Sequence, residues 1–522
     1  MNRPPPALSP AARSCLAAFA LATLLCTLPQ CRDAAAAAGG SSPATAAQDP
    51  KPQPGEAPIP ANVLADVPDQ DRLSLLVSAN MVGRLEPCGC ASGQLGGLAR
   101  RVQYIGERRS HDLLLEGGNL VAGTTPLDLE KYATAITVLA SMQHAYHALG
   151  VGQHELHLPL DEWAAYATGA PYVASDLDSK HEAWPAKPFV QREVRGRVVR
   201  IASLTLSLPE ALRGDDAPVR LLPPAQGWQR ALADAPDDAW RLLFVHGSDQ
   251  TTRALVPTLT PAPHLVICCD DGYVEPTGRA ELVGGVPVVF PGIRGRILQD
   301  ITLYRLPQGP RAQVDLVPLQ GSLTVPGGGG DPDVTQVLLQ HREQVKASGL
   351  LAAMAGQEKT PNGSSYIGSQ SCAGCHPTAF QAYAGSKHFH AFETLQKAEQ
   401  DPKRYGWPVT HYPDCVDCHV VGYGEQTGFV SPEQTPHLLG VGCERCHGPG
   451  QAHATSNGQQ KLGLIGGVTK SMLCTQCHDF EQSPNFQYNE RWPLIQHGRE
   501  PHQQPAKAGG EEGPEKGGET GK

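Results

Sequence analysis

Four pentapeptides in this 522-residue chain pair two thiols with an imidazole at one fixed spacing. They are Cys372-Ala-Gly-Cys375-His376, Cys415-Val-Asp-Cys418-His419, Cys443-Glu-Arg-Cys446-His447 and Cys474-Thr-Gln-Cys477-His478. Two cysteines three positions apart lie on one side of a helical turn. Each can form a thioether with a porphyrin vinyl group, and the histidine that follows then points at the iron as its proximal ligand. C-x-x-C-H is thus the attachment pattern of c-type haem. With 15 cysteines and 20 histidines in the chain, one such pentapeptide is expected roughly 0.02 times by chance. Zinc held by C-x-x-C pairs would not need the histidine after each second cysteine. Disulfides of an exported chain would leave it equally unexplained. The cofactors implied are four c-type haems.

The stretch that carries these motifs, 366–500, has few aliphatic runs and little periodicity. Such a chain cannot bury enough apolar area to offset its ordering entropy. The porphyrins are expected to be most of its core. Sixth iron ligands must then come from other histidines. His388, expected on a helix after the first site, His453 and His497 are the candidate distal ligands, with His390, His411 and His437 behind them. The runs YIGSQSCAGCHPTAFQAYAGSKHFHAFETL, PDCVDCHVVGYGEQTGF, VGCERCHGPGQAH and CTQCHDFEQSPNFQYNERWPLIQHG, in this order, resemble the tetrahaem cytochrome c554 family. The resemblance implies electron transfer through closely packed haems, most with two histidine ligands. It also implies one haem with an open or weakly held sixth position. Related multihaem nitrite reductases carry a lysine in place of one proximal histidine, and all four sites here end in His.

Upstream, residues 73–320 alternate strand-like and helix-like segments. LSLLVSA (73–79), DLLLEGGN (112–119), VGQHE (151–155), RLLFVHGSD (241–249), HLVICCD (264–270) and VPVVFPG (286–292) read as strands with their turns. Residues 95–109 read as an amphipathic helix and 129–150 as one long helix. This order predicts an α/β domain over 71–325, with helices flanking the sheets and polar residues at strand ends. The motifs SANMVGRLEP, EGGN, GQHE, VHGS and ICCDDG, followed by FPGIRGRILQDITLY, resemble the calcineurin-like metallophosphoesterases, especially their 5'-nucleotidase branch. The fold implied is a metallophosphatase-like layered α/β sandwich, followed by a small, mostly α or irregular multihaem cytochrome c domain. The ligands that such a site needs have changed. Asn80 and Val82 stand where the resemblance implies Asp and His, Asn119 where it implies Asp, and Gln153 where it implies Asn. Asp270 and Gly272 stand where it implies two histidines. Neutral amides cannot offset two dications, so no dinuclear metal is expected. No catalytic residue is assigned; His154 and His246 are the candidates that remain.

Cys88, Cys90, Cys268 and Cys269 lie outside the haem motifs. Both pairs fall at strand ends and are expected to converge on the former metal pocket. Three readings stay open: disulfides between loops, a thiolate site for a soft metal or sulfur compound, or no convergence.

Residues 1–31 read as a signal peptide, with Arg3 and Arg13 before an apolar stretch too short to span a bilayer. Either Leu28-Pro29-Gln30-Cys31 acts as a lipoprotein box, giving a lipid anchor at Cys31, or the Ala34–Ala38 run is cleaved. Residues 32–70 read as a flexible linker and 503–522 as a disordered tail. Residues 333–356 read as one connecting amphipathic helix. Lys+Arg 42 against Asp+Glu 52 gives a net charge of -10, which argues against nucleic acid as a partner. The expectation is a periplasmic or cell-envelope tetrahaem cytochrome that serves a redox partner protein, with a degenerate metallophosphatase-like binding or docking domain. Two alternatives are an oxidoreductase for a small nitrogen or sulfur compound, and a metal-dependent phosphoesterase with accessory haems.

Overall fold

The computed structural model describes residues 64, 66–87, 95–107, 111–141, 145–214, 216–270, 272, 275–321, 329–401, 407–462, 469–479, 482–483 and 485–497. The segment 1–31 expected as a signal peptide, with Cys31, most of the expected linker, Cys88, Cys90 and the expected tail 503–522 lie outside the described residues. Two compact units emerge. One comprises Met1–Ala353, Gln396–Cys415 and Cys477–Pro484; the other comprises Met354–Leu395, Val416–Gln476 and Asn485–Lys522. Residues 396–415 and 477–484, inside the stretch 366–500, are thus counted with the first unit.

The first unit is built on two six-stranded mixed sheets. Strands β1 (Arg72–Ser78), β2 (Leu113–Glu116), β3 (Ala148–Gly150) and β4 (Tyr172–Val173) run parallel to one another. The short pair β5 (Leu177–Ser179) and β8 (Val219–Leu221) stands apart. The second sheet holds β6 (Val190–Val194), β7 (Arg197–Leu204), β9 (Trp240–Val245), β10 (Leu265–Cys268), β11 (Glu281–Val283) and β12 (Val286–Val289). Its order is β11-β12-β10-β9-β7-β6, while β13 (Ile297–Leu306) and β14 (Gly309–Pro318) complete the first sheet as β14-β13-β1-β2-β3-β4.

Successive side chains of a strand point to opposite faces, and this alternation makes the layers. Leu73, Leu75, Val77, Leu113 and Leu115 pack with Val199, Ile201, Leu242, Phe244 and Ile267 in one core between the sheets. Leu76, Leu114 and Leu149 face the other way, onto helix α1 (Leu98–Glu107) and α2 (Pro126–Ile136). Leu243, Val245 and Val266 face Trp228 and Val256 on the far side. Because both faces are covered, these strands read as continuous apolar runs. The result is the layered α/β sandwich expected from the sequence.

Two expected elements differ. The helix foreseen over 129–150 starts earlier, where Thr125 and Asp128 form a capping box ahead of Pro126. It ends at Ile136 and passes through a π turn at Thr137–Ser141. Ala148–Gly150 is instead the strand β3, paired with both β2 and β4, so tertiary pairing overrides the helix-forming residues there. The strand foreseen at 151–155 is the loop that follows it. The connecting helix is broken in two, Pro332–Ala347 and Leu350–Ala353, by Gly349 at φ +69. A left-handed glycine is a common helix stop.

Buried charges hold 396–415 within the first unit. Lys131 Nζ lies 3.1 Å from Asp414 Oδ2 with both side chains buried. Arg342 pairs with Glu86 Oε2 at 3.1 Å and lies over the rings of Trp407 and Tyr412, at 4.0 and 5.0 Å.

In the second unit the helices are short: Pro377–Ala384, Ala391–Gln400 (shared with the first), Cys443–His447, Gln451–Thr455, Lys470–Thr475 and Tyr488–Arg491. Its apolar interior is small and includes Phe392, Val416, Val420, Phe429 and Leu438. Among the described residues, and Pro449 aside, no aliphatic or aromatic side chain is buried beyond Leu438.

Candidate functional site

At the strand ends of the sandwich, the altered residues satisfy one another. Asn80 Nδ2 donates to the Asp270 carbonyl at 2.8 Å, and Asn119 Nδ2 donates to Asn80 Oδ1 at 2.9 Å. The His154 backbone N–H donates to Asn119 Oδ1 at 3.1 Å. Gln153 Nε2 turns away, to the carbonyl and hydroxyl of Ser207 at 2.8 and 2.7 Å. The Glu155 carboxylate accepts from the backbone N–H groups of Asn119, Leu120 and Gly152. Burial raises its pKa, and these bonds oppose the rise. A Cβ on Gly152 would collide with Asn119 Oδ1, and one on Gly117 with the Cys269 sulfur. This donor set does not fit two dications, because Asn80 and Asn119 are neutral amides that offset none of the metal charge. Val82, where the resemblance implies a metal-binding histidine, holds φ +47, a conformation that β-branched residues rarely adopt.

His154 Nδ1 meets the Val121 carbonyl at 2.9 Å, and His246 is buried against Gly150. Cys268 and Cys269 are free thiols. Being adjacent at a strand end, they point to opposite faces. Cys268 contacts Thr252 Oγ1 at 3.2 Å, and burial pushes its pKa up to about 11. Cys269 lies in the core between the sheets beside Gly117, and burial raises its pKa as well. Cys268 and Cys269 thus face different cores, and Cys269 lies beside the EGGN turn. Cys88 and Cys90 lie outside the described residues.

The C-x-x-C-H motifs lie on short turns and helices. The first motif closes one turn through a His376 N–H to Cys372 carbonyl bond of 2.9 Å, and the third forms the helix Cys443–His447. None of the described motif cysteines is in a disulfide. Cys372 and Cys443 share a hydrogen bond, which raises the Cys372 pKa and lowers that of Cys443.

Two motif histidines face a second imidazole. The His376 and His453 rings have centroids 6.0 Å apart and planes 22° from parallel. His447 and His497 have centroids 5.8 Å apart. With a metal–nitrogen bond of about 2 Å, imidazoles at this spacing would be able to hold a metal ion between them. His453 Nδ1 donates to the Gln460 carbonyl at 2.7 Å and His419 Nδ1 to the Ala391 carbonyl at 2.6 Å. A carbonyl only accepts, so Nδ1 carries the hydrogen in each ring, as it does in many metal-binding histidines. His478 Nδ1 lies 2.9 Å from Ser483 Oγ.

The other candidates separate. His388 lies in the turn after the helix Pro377–Ala384 rather than on a helix, and its carbonyl accepts from Val441 N–H. His390 bonds Glu393 at 2.9 Å, His411 bonds Thr410 Oγ1 at 2.9 Å, and His437 is exposed beside Gly368. Phe389, Met472 and Leu494 are 41%, 56% and 65% exposed. Sequence reasoning missed Glu444, a motif residue that is buried and bonded to the first motif's approach; only its place between Cys443 and Cys446 hinted at it.

Among known proteins, the family described as cytochrome c554 and c-prime matches residues 371–448, a span that holds the first three motifs. Cytochrome c-554 of Nitrosomonas europaea is 35% identical over 114 residues, 20% of this chain and 47% of that protein. The chain thus spans about half the length of that relative. Among solved structures, the 5'-nucleotidase precursor from Thermus thermophilus is similar at 18% identity, 55% of this chain, 61% of that chain and a TM-score of 0.44. The calcineurin-like phosphoesterase YfkN from Bacillus subtilis is similar at 17% identity, 52% of this chain, 97% of that chain and a TM-score of 0.40. At such scores, the layered architecture rests on the strand order itself.

Proposed function

We propose that this chain, whose residues 371–448 carry a cytochrome c554 domain, is an exported four-haem c-type cytochrome that exchanges electrons with a redox partner protein. When bound, each haem supplies an iron that alternates between ferric and ferrous and so carries one electron. The paired cysteines at 372/375, 415/418, 443/446 and 474/477 hold the porphyrins. His376, His419, His447 and His478 offer the proximal nitrogens. His453 and His497 stand as distal ligands of the first and third sites, and His388 remains a distal candidate.

The observation that carries this reading is the pairing of two motif imidazoles with a second ring at about 6 Å, in a unit whose own apolar interior is small. The sandwich serves as a binding or docking module. Its strand-end amides are spent on each other, which speaks against metal-dependent hydrolysis. No helix among the described residues is long and apolar enough to cross a membrane. Export through residues 1–31, to the periplasm or envelope, supplies the compartment in which thioether attachment proceeds.

The test is expression with a cytochrome c maturation system. The pyridine haemochrome should give four haems per chain. His453→Ala and His497→Ala should each turn one low-spin ferric haem high-spin by electron paramagnetic resonance. Fewer than four haems, or unchanged spectra in both variants, overturns the reading. Metal-dependent phosphate release from nucleotides would overturn the role given to the sandwich.

A further inference from the structure

Glu444 is a buried carboxylate inside the third haem motif, and it is held by an unusual set of partners. Its side chain is 2% exposed. Oε2 accepts from Gly368 N–H at 2.7 Å and Oε1 from Gly450 N–H at 2.7 Å, while Ile367 N–H reaches both oxygens at 3.0 and 3.2 Å. All these donors are backbone groups. Among the described residues, no cation lies in an ion pair with it; Arg445 turns instead to Asp417 at 3.7 Å. Ile367 and Gly368 lead directly into the first motif. A second bond runs beside this clamp, from Cys443 N–H to Ser369 Oγ at 3.0 Å.

Two consequences follow from burial. Breaking the clamp would free both motifs at once, because the carboxylate is the point where their backbones meet. A carboxylate without a counter-cation in a water-poor site also acts strongly on nearby charge, since interactions there are weakly screened. A ferric haem carries one more positive charge than a ferrous one. We propose that Glu444 is a positioning residue that clamps the first haem-attachment segment to the third and supplies a negative charge that would favour the ferric state of haems held by these two motifs. This rests on haem attachment at those two motifs.

The experiment compares the full-length holoprotein with Glu444→Gln, Glu444→Asp and Ser369→Ala. Haem content is measured first by pyridine haemochrome, then potentials by spectroelectrochemical titration. For a unit charge on the order of 10 Å away at an effective dielectric constant of about 20, Glu444→Gln should raise the ferrous-to-ferric ratio of two haems about tenfold at fixed potential. Tenfold corresponds to about 59 mV for a one-electron couple. Glu444→Asp keeps the charge, and Ser369→Ala removes only a neutral bond, so both should stay near wild type. Unshifted potentials in a fully loaded Glu444→Gln protein overturn the proposal and leave the haem reading standing. So does an equal shift in Ser369→Ala, which would make geometry the cause. If Glu444→Gln fails to load haem, Glu444→Asp decides: normal loading and potentials support the charge requirement, and failure or raised potentials overturn it. Wild-type protein without haem would instead sink the reading beneath.

Discussion

Asp414→Asn is the sharpest test of how the segment before the second haem motif is held. Lys131 and Asp414 are 1% and 4% exposed and 3.1 Å apart. Removing one charge strands the other. Breaking a buried pair by deleting a partner costs about 3–5 kcal/mol, because the remaining ion stays desolvated. For a unit of this size, about 2 °C of melting temperature is lost per kcal/mol, so Asp414→Asn should melt roughly 6–10 °C lower. The paired change Lys131→Met with Asp414→Leu removes both charges and should fall within about 2 °C of wild type, since apolar replacement of a whole buried pair is often neutral. Differential scanning calorimetry of five holoproteins, including Lys131→Met and Asp414→Leu alone, closes the cycle. Cys415 directly follows Asp414, so haem content of the single variant is measured alongside. A loss below about 1 °C in Asp414→Asn, or a double variant as unstable as the singles, would refute the reasoning.

Two further outcomes are expected in the sandwich. His341 is fully buried, and neither ring nitrogen has a hydrogen-bond partner among the described residues. Burial first, then the charge of Arg342, holds its pKa well below the usual histidine range. A depressed folded pKa means that the unfolded chain gains a proton below about pH 6.5 while the native state does not. Native stability is then complete above that pH and falls by up to about 1.4 kcal/mol per unit below it. His341→Leu should remove this slope, so urea titrations at pH 7 and pH 5 should show its advantage widening by about 2 kcal/mol; a constant gap would count against the assignment. Val82 holds a left-handed backbone that costs about 1–2 kcal/mol for a residue with a Cβ. Asparagine tolerates this region better, so Val82→Asn should raise the melting temperature by about 2 °C, and a lower one would mean that its packing outweighs the strain.

Local chemistry was legible in the residues alone. Haem attachment needs two thiols and a neighbouring imidazole within one turn, so the spacing of the cysteines and histidines alone predicts four such sites. Apolar runs such as those of β1, β9 and β10 announced strands covered on both faces, and with them the layered sandwich. The same residues could not decide pairings made across the chain. Ala148–Gly150 became a strand because two neighbours were waiting for it, and Gly349 cut a periodic stretch in two. Adjacent cysteines at the end of β10 were sent to opposite faces by the pleat. Which imidazole stands opposite His376 or His447, and that Glu444 ties two motifs through buried N–H groups, depended on contacts between residues far apart in sequence. Spacing fixes what a turn can hold covalently; only the folded chain brings distant donors to within 3 Å of an acceptor, and burial then sets the strength of what they do.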